Sequence, residues 1–184
     1  MRQYQTLCCT LCATEFALGT LIYAMTIRHI EYTDFDVIVP VVDEWWGGRA
    51  VRGLLPRLFF EHFQPTSFVV EENERLVGFL VGFQSQSNPT VGYIHFIGVH
   101  PDARTKGYGR LLYQHFFAVI ARLGCTEVRA VTSPANESSV RFHSRLGFQL
   151  LPGNGNVNGY PVCLDHDGPG HHHVLFSRQL TEAF

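Results

Sequence analysis

Between residues 76 and 83 the chain reads Leu-Val-Gly-Phe-Leu-Val-Gly-Phe, with no polar side chain in eight positions. In an extended segment successive side chains alternate faces, which puts Val77, Phe79, Val81 and Phe83 on one side and Leu76, Gly78, Leu80 and Gly82 on the other. Both faces are apolar or bare, so the segment, expected over 76–86, is a central strand covered on both sides.

The punctuation around it is regular and contains no internal repeat. A strand is expected over 26–33, a helix from Asp34 to about Trp46 ended by Gly47-Gly48, and a second helix over about 51–63. Strands over 67–71 and 76–86 flank the charged turn Glu72-Asn73-Glu74-Arg75, and another runs over 91–99. Beyond a glycine loop, Leu112, Phe116, Val119, Ile120 and Leu123 form the stripe of a helix lying on a sheet. A strand over 127–132, a helix over 136–146, a strand over 148–151, a loop rich in Gly and Asn, and a strand near 174–178 complete the order. That order is α/β with a mixed sheet, and 184 residues suffice for one core.

An apolar fraction of 46% against 16% charged residues excludes disorder. With 14 basic and 16 acidic residues, no general attraction to nucleic acid or to a membrane surface is built in, so a bound anion must be captured locally. Cysteines at 8, 9, 12, 125 and 163 make no disulfide framework and read as reduced thiols of a cytoplasmic protein. Residues 1–24 stand apart as apolar and Cys-rich. A secretory signal is opposed by Glu15 and by the lack of a small-x-small site before Met25; a membrane helix is opposed by a longest charge-free run of 12 residues. An appendage or over-long start, with one domain over 25–184, is the favoured reading. Cys9 and Cys12 form a CxxC pair with no second pair for zinc.

Arg104-Thr105-Lys106-Gly107-Tyr108-Gly109 joins a strand to a helix, where bare backbone N–H groups and the positive helix end can hold an anion. Lys106 precedes its glycine, so this is no Walker loop; Leu112 stands where a dinucleotide fingerprint needs its third glycine. The run from Ile97-Gly98-Val99-His100-Pro101 through Gly107-Tyr108-Gly109-Arg110 instead resembles the acetyl-CoA motif of the GNAT N-acetyltransferase superfamily, Gln/Arg-x-x-Gly-x-Gly/Ala. Asn136, the helix after it and the closing Leu146-Gly147-Phe148 are similar to the family's second signature, in family order and spacing.

The resemblance implies a mostly antiparallel, twisted sheet of about seven strands with about four helices, splayed between the fourth and fifth strands. It implies acetyl-CoA as cosubstrate, with backbone from Arg104 through Thr105, Lys106, Gly107, Tyr108 and Gly109 on the pyrophosphate and Arg110 beside it. Ile97, Gly98 and Val99 would line the pantetheine, with Asn136, Ser139 and Phe142 contacting the same arm; no metal is implied.

Acetyl transfer to an amine needs a base, an oxyanion donor and a proton for the thiolate. His95, placed with Tyr93 and Ile97 on one strand face, is the candidate base, its ordinary pKa of about 6.5 suiting the task; a half-buried histidine bonded to a carbonyl is the competing reading. Tyr93 joins it as a candidate catalytic residue, and resemblance to the family's bulged strand implies the Val99 N–H as oxyanion donor. His143 holds the position where the family most often has a tyrosine acid, and reads either as that acid or as a coenzyme contact. Glu44, Trp45, Trp46 and Arg49, with Asp165 and Asp167, are the candidate acceptor residues, aromatic rings and carboxylates suiting a cationic amine. His166, His171, His172 and His173 lie beside those aspartates, but consecutive strand histidines alternate faces and cannot all reach one ion. The expected activity is acetylation of a small-molecule amine, the alternative a non-catalytic acyl-CoA-binding module. A homodimer is the one self-association left open.

Overall fold

The apolar run at 76–83 lies at the heart of a seven-stranded sheet in the computed structural model, which describes residues 25–180. The expected appendage 1–24, with its CxxC pair, and residues 181–184 lie outside the described residues. In chain order the elements are β1 (Met25–His29), α1 (Asp34–Ile38), α2 (Val42–Trp45), α3 (Leu58–His62), β2 (Phe68–Glu72), β3 (Arg75–Gln84), β4 (Val91–Val99) and α4 (Tyr108–Arg122). They continue as β5 (Glu127–Thr132), α5 (Glu137–Arg145), β6 (Gln149–Leu150), β7 (Gly155–Val157), β8 (Tyr160–Val162) and β9 (Val174–Gln179). The large sheet runs β1-β2-β3-β4-β5-β9-β6, antiparallel throughout except for the parallel pair β4–β5. Among the described residues no helix is long and apolar enough to cross a membrane.

Each face of β3 has its own core. Leu80 joins Leu112, Phe116 and Ile120 of α4 on one side; Phe79 and Val81 join Ile38, Val42, Trp45 and Phe60 of α1–α3 on the other. The strict alternation expected along 76–83 holds only in part. A register shift opposite Val70 and Glu71 leaves Val77 unpaired and turns it into the α4-side core, while Leu76 packs on the opposite side.

Two expected helices are broken by proline. The run 34–46 is two short helices separated at Val39-Pro40-Val41, and 51–63 is a 3-10 turn at Arg52–Leu54 followed by α3, with Pro56 between them. Proline lacks the N–H a helix interior needs and crowds the residue before it. The Gly/Asn-rich loop contains a further hairpin, β7–β8, turned by Asn158 and Gly159 at φ of 53° and 81°, the geometry a two-residue hairpin turn demands.

At Gly82, as at Gly92, α4 lies close on the sheet. A Cβ at Gly82 would lie 2.5 Å from the Phe116 ring and 3.0 Å from the Tyr93 carbonyl oxygen. Gly82→Ala should therefore lower stability by about 1–3 kcal/mol, read as a lower urea midpoint with an unchanged slope. An unchanged midpoint would show that α4 can lift away without cost.

Candidate active site

β4 and β5 pair only from Val91 opposite Glu127 to Ile94 opposite Ala130, and then part. The next residue, His95, has no partner on β3 either: Ile94 faces Gly82 and Phe96 faces Val81, so His95 is the extra residue of a bulge. A bulge bends its strand, and this one sits where the separation begins. It also overturns the expectation that Tyr93, His95 and Ile97 share a face. Tyr93 and His95 lie toward α3, against Phe83 and Phe59, whereas Ile97 packs with the α4-side core.

Past the bulge, the His100 N–H donates to the Val77 carbonyl at 2.8 Å, on the β3 side. Main-chain groups alternate direction along an antiparallel strand, so those of Ile97 and Val99 point away from β3, to where β5 has withdrawn. Backbone groups inside a protein need partners. Arg104 Nε donates to the Val99 carbonyl at 3.4 Å, which leaves the Val99 N–H directed at the gap. The gap is a cleft of about 840 Å³ that runs from the start of α4, between β4 and β5, to the loop before β9.

At one mouth, Gly107 N-caps α4 at φ 84°, a conformation side chains resist, and Gly109 lies so close to the Phe142 ring that an added Cβ would be 3.1 Å from it. The first turn of a 15-residue helix thereby opens its unpaired N–H groups on the cleft, flanked by Arg104 and Arg110. Not all of the expected loop faces inward. Lys106 Nζ is 2.7 and 2.8 Å from the Glu72 carboxylate oxygens and Tyr108 Oη donates to the same carboxylate at 2.7 Å, so these side chains turn to the end of β2; Thr105 does not line the cleft. From this loop the cleft is lined by Arg104, Gly107, Gly109 and Arg110. Arg104 Nη2 also donates to the Trp45 carbonyl, tying α2 to the loop. The Lys106 and Tyr108 bonds hold Glu72 well below the usual carboxylate range; nothing in the sequence marked this residue.

On the α5 wall, Asn136 Oδ1 caps the helix, accepting from Ser139 N at 3.4 Å and Ser138 Oγ at 2.9 Å. His143, 4% exposed, accepts a 2.7 Å hydrogen bond from Tyr113 Oη at Nε2 and donates from Nδ1 to the Ser139 carbonyl at 2.8 Å, its ring stacked on Phe176. Burial pushes its pKa down to about 4, against the opposing bond to Ser139. A neutral ring with both nitrogens engaged is not the imidazolium acid that the sequence allowed. Tyr113, concealed within the apolar stripe of α4, is the missed partner.

At the far end, His95 donates from Nε2 to the Leu54 carbonyl at 2.6 Å and stacks on Phe59 at 4.2 Å. Burial lowers its pKa, opposed by that hydrogen bond and by the Asp167 carboxylate. Burial, and then Asp167, raise that of Tyr93. Trp45 is buried on Phe79, while Trp46 lies over Gly98, where an added Cβ would be 2.8 Å from its ring, and lines the cleft with Arg49 and Asp167. Two expected acceptor residues are elsewhere. Glu44 is exposed outside the cleft, and Asp165 spends its Oδ1 on the Gly170 N–H at 2.7 Å to close the loop before β9. Among the described residues no group of three or more His, Cys, Asp or Glu side chains could hold a metal ion.

Comparison with known proteins agrees with this geometry. A model of the acetyltransferase (GNAT) family matches residues 29–148. The chain is 30% identical over 97 residues to the L-2,4-diaminobutyric acid acetyltransferase of Nocardia farcinica, covering 50% of each chain. It is 29% identical over 138 residues to the mycothiol acetyltransferase of Propionibacterium freudenreichii, covering 69% of this chain and 44% of that one. The chain thus spans about half the length of the curated relatives it matches. Ard1 from Thermoplasma volcanium superposes with a TM-score of 0.69 at 19% identity, covering 86% of this chain and 99% of that one. A diaminobutyrate acetyltransferase from Paenibacillus lautus, solved with L-2,4-diaminobutyric acid and coenzyme A, superposes at 0.65 with 17% identity, covering 88% and 99%. At such identities these structures speak for the fold. With the family match lying across the parted strands and the glycine loop, the chain belongs to the acetyltransferase (GNAT) family.

Proposed function

We propose that this chain transfers the acetyl group of acetyl-CoA to a primary amine of a small molecule by direct attack on the thioester, the C–N bond forming and the C–S bond then breaking so that coenzyme A leaves as a thiolate that takes its proton from solvent. The observation that carries this is the parting of β4 from β5 beyond Ile94 and Ala130, which opens backbone of β4 to a cleft ending at the N-terminus of α4. The cradle fits the cosubstrate: Gly107 and Gly109 leave backbone bare where a phosphate must approach, and Arg104 and Arg110 supply charge in an acidic chain. Acetyl-CoA supplies the activated acyl group. The Val99 N–H is aimed to donate to the oxygen that gains charge during transfer.

The base is His95. Its Nε2–H is fixed on the Leu54 carbonyl, so Nδ1 carries the lone pair, and burial keeps the ring neutral at neutral pH. The acceptor end combines Trp46, Tyr93 and Asp167, aromatic and anionic surfaces that suit a cation. Matches to diaminobutyrate acetyltransferases support a small amine.

The test is free-thiol release from acetyl-CoA across simple amines, diamines, amino acids and short peptides, with coenzyme A binding titrated in parallel. Turnover on a small amine is the expected result. Tight binding with no turnover on any acceptor would leave only an acyl-CoA-binding module, and no binding would sink the glycine cradle itself.

A further inference from the structure

The loop before β9 brings Asp167 and His173 together at the acceptor end of the cleft. Asp167 Oδ2 is 3.4 Å from His173 Nδ1, and both residues line the cleft. The loop is stiffened around them. Asp165 Oδ1 accepts from Gly170 N at 2.7 Å, His172 Nδ1 accepts from Asp165 N at 3.0 Å, and His173 exchanges main-chain bonds with Cys163 at 2.8 and 3.1 Å.

His173 Nδ1 is buried and has no hydrogen-bond partner, the one such side-chain atom among the described residues. A buried polar atom without a partner costs free energy unless something fills the position. Burial also lowers the pKa of His173, against the pull of Asp167 and with the three neighbouring histidines 166, 171 and 172 adding to the depression. At neutral pH the ring is therefore uncharged and its free nitrogen can present a lone pair. In the tautomer that carries its proton on Nε2, the Nδ1 lone pair and the Asp167 carboxylate oxygen 3.4 Å away are two acceptors sharing one space. A primary ammonium, with three N–H donors, can satisfy both at once.

We propose that Asp167 and His173 form a subsite for a second ammonium on the acceptor, so that the substrate is a diamine whose other nitrogen is acetylated beside His95. This rests on the transferase reading and narrows it. A carboxylate can serve both nitrogens only in sequence, whereas a dedicated ammonium site fixes which one is protonated and which reaches the base. Discrimination against a plain monoamine follows, because binding one leaves the buried His173 nitrogen without its donor.

The test compares α,ω-diamines of three to six carbons with n-alkylamines of matched length, using the full chain. Thiol release gives kcat and KM; quenching of the fluorescence of Trp45 and Trp46 in the presence of coenzyme A gives acceptor affinity without turnover. The wild type should favour at least one diamine over its monoamine by about tenfold or more in kcat/KM. Asp167→Asn should collapse that ratio toward one, chiefly through KM, and His173→Phe should lower it in the same direction. The side chains of Asp167 and His173 are 62% and 18% exposed, so the first variant should melt as the wild type does and guards against a folding artefact in the second. Equal turnover of diamine and monoamine, or a ratio that survives Asp167→Asn, would overturn the subsite and leave the transferase standing. Diamine binding lost in Asp167→Asn without turnover in either protein would support the subsite and sink the transferase.

Discussion

Replacing His95 by glutamine should lower kcat/KM at pH 7.5 by about 10²–10⁴-fold while leaving the Kd for acetyl-CoA within about twofold of the wild type. The effect is large because an alkylamine with a pKa near 10 is almost all ammonium at that pH, and attack needs the proton removed. The cofactor cradle is untouched, since His95 lies at the other end of the cleft from Gly107 and Gly109. Glutamine keeps a donor for the Leu54 carbonyl, so the loss is one of basicity more than of packing. The wild-type pH profile carries a second signature. Burial depresses the His95 pKa below 6.5, so the base is already neutral at pH 7 and the acid limb of kcat/KM must fall below pH 6.5. Asp167 pulls that limb upward, and Asp167→Asn should move it further to acid. Activity in His95→Gln within a factor of ten of the wild type would reduce His95 to a ring clamped between Phe59 and a carbonyl.

Much of this architecture was legible because it depends on local pattern. The two-faced apolar run at 76–83, the helical stripe from Leu112 to Leu123 and the strand–glycine–helix order at 91–112 each carry their own period, and tertiary structure had only to assemble them. What misled was always a single residue changing a period. Pro40 and Pro56 cut helices that composition alone would continue. One extra residue at His95 moved Ile97 to the opposite face, and nothing in the residue types announces a bulge. Side-chain destinations were the least legible. Lys106 has the chemistry of a phosphate ligand, yet Glu72 lies within 2.8 Å of it across the fold, a pairing set by strand register and invisible along the chain. Asp165 and Asp167 look equivalent in sequence, and only the turn geometry shows that one closes the loop while the other faces the cleft. The tyrosine-like position of His143 says nothing of Tyr113, 30 residues earlier, which hydrogen-bonds its Nε2.

That same pair makes the fold sensitive to acid. His143 titrates at about 4 in the folded chain and near 6.5 when exposed. Between those values the unfolded state binds the extra proton and the native state does not, so unfolding free energy rises with pH through this window. Stability should be complete above about pH 6.5 and lower by about 3 kcal/mol near pH 4 from this group alone, a large share of the 5–15 kcal/mol typical of a domain. Carboxylates such as Glu72, held low by Lys106 and Tyr108, lose their contribution only at more acid pH, as they take up protons, so the two effects separate along the pH axis. Urea unfolding at half-unit steps from pH 7 to pH 4 reads the slope. The reference is Tyr113→Phe/His143→Leu, which removes both polar partners together and leaves no buried donor unmatched. It should decline less steeply than the wild type from pH 6.5 to pH 5, its remaining slope coming from His95, His115 and His173, whose pKa values burial also lowers. Tyr113→Phe alone, which leaves the His143 nitrogen without its donor, should instead cost about 1–3 kcal/mol at pH 7. Parallel pH curves for the wild type and the double variant would mean that the imidazole protonates in place, in which case the buried ring, the stacked Phe176 and the Tyr113 bond do not exclude its charge as the geometry requires.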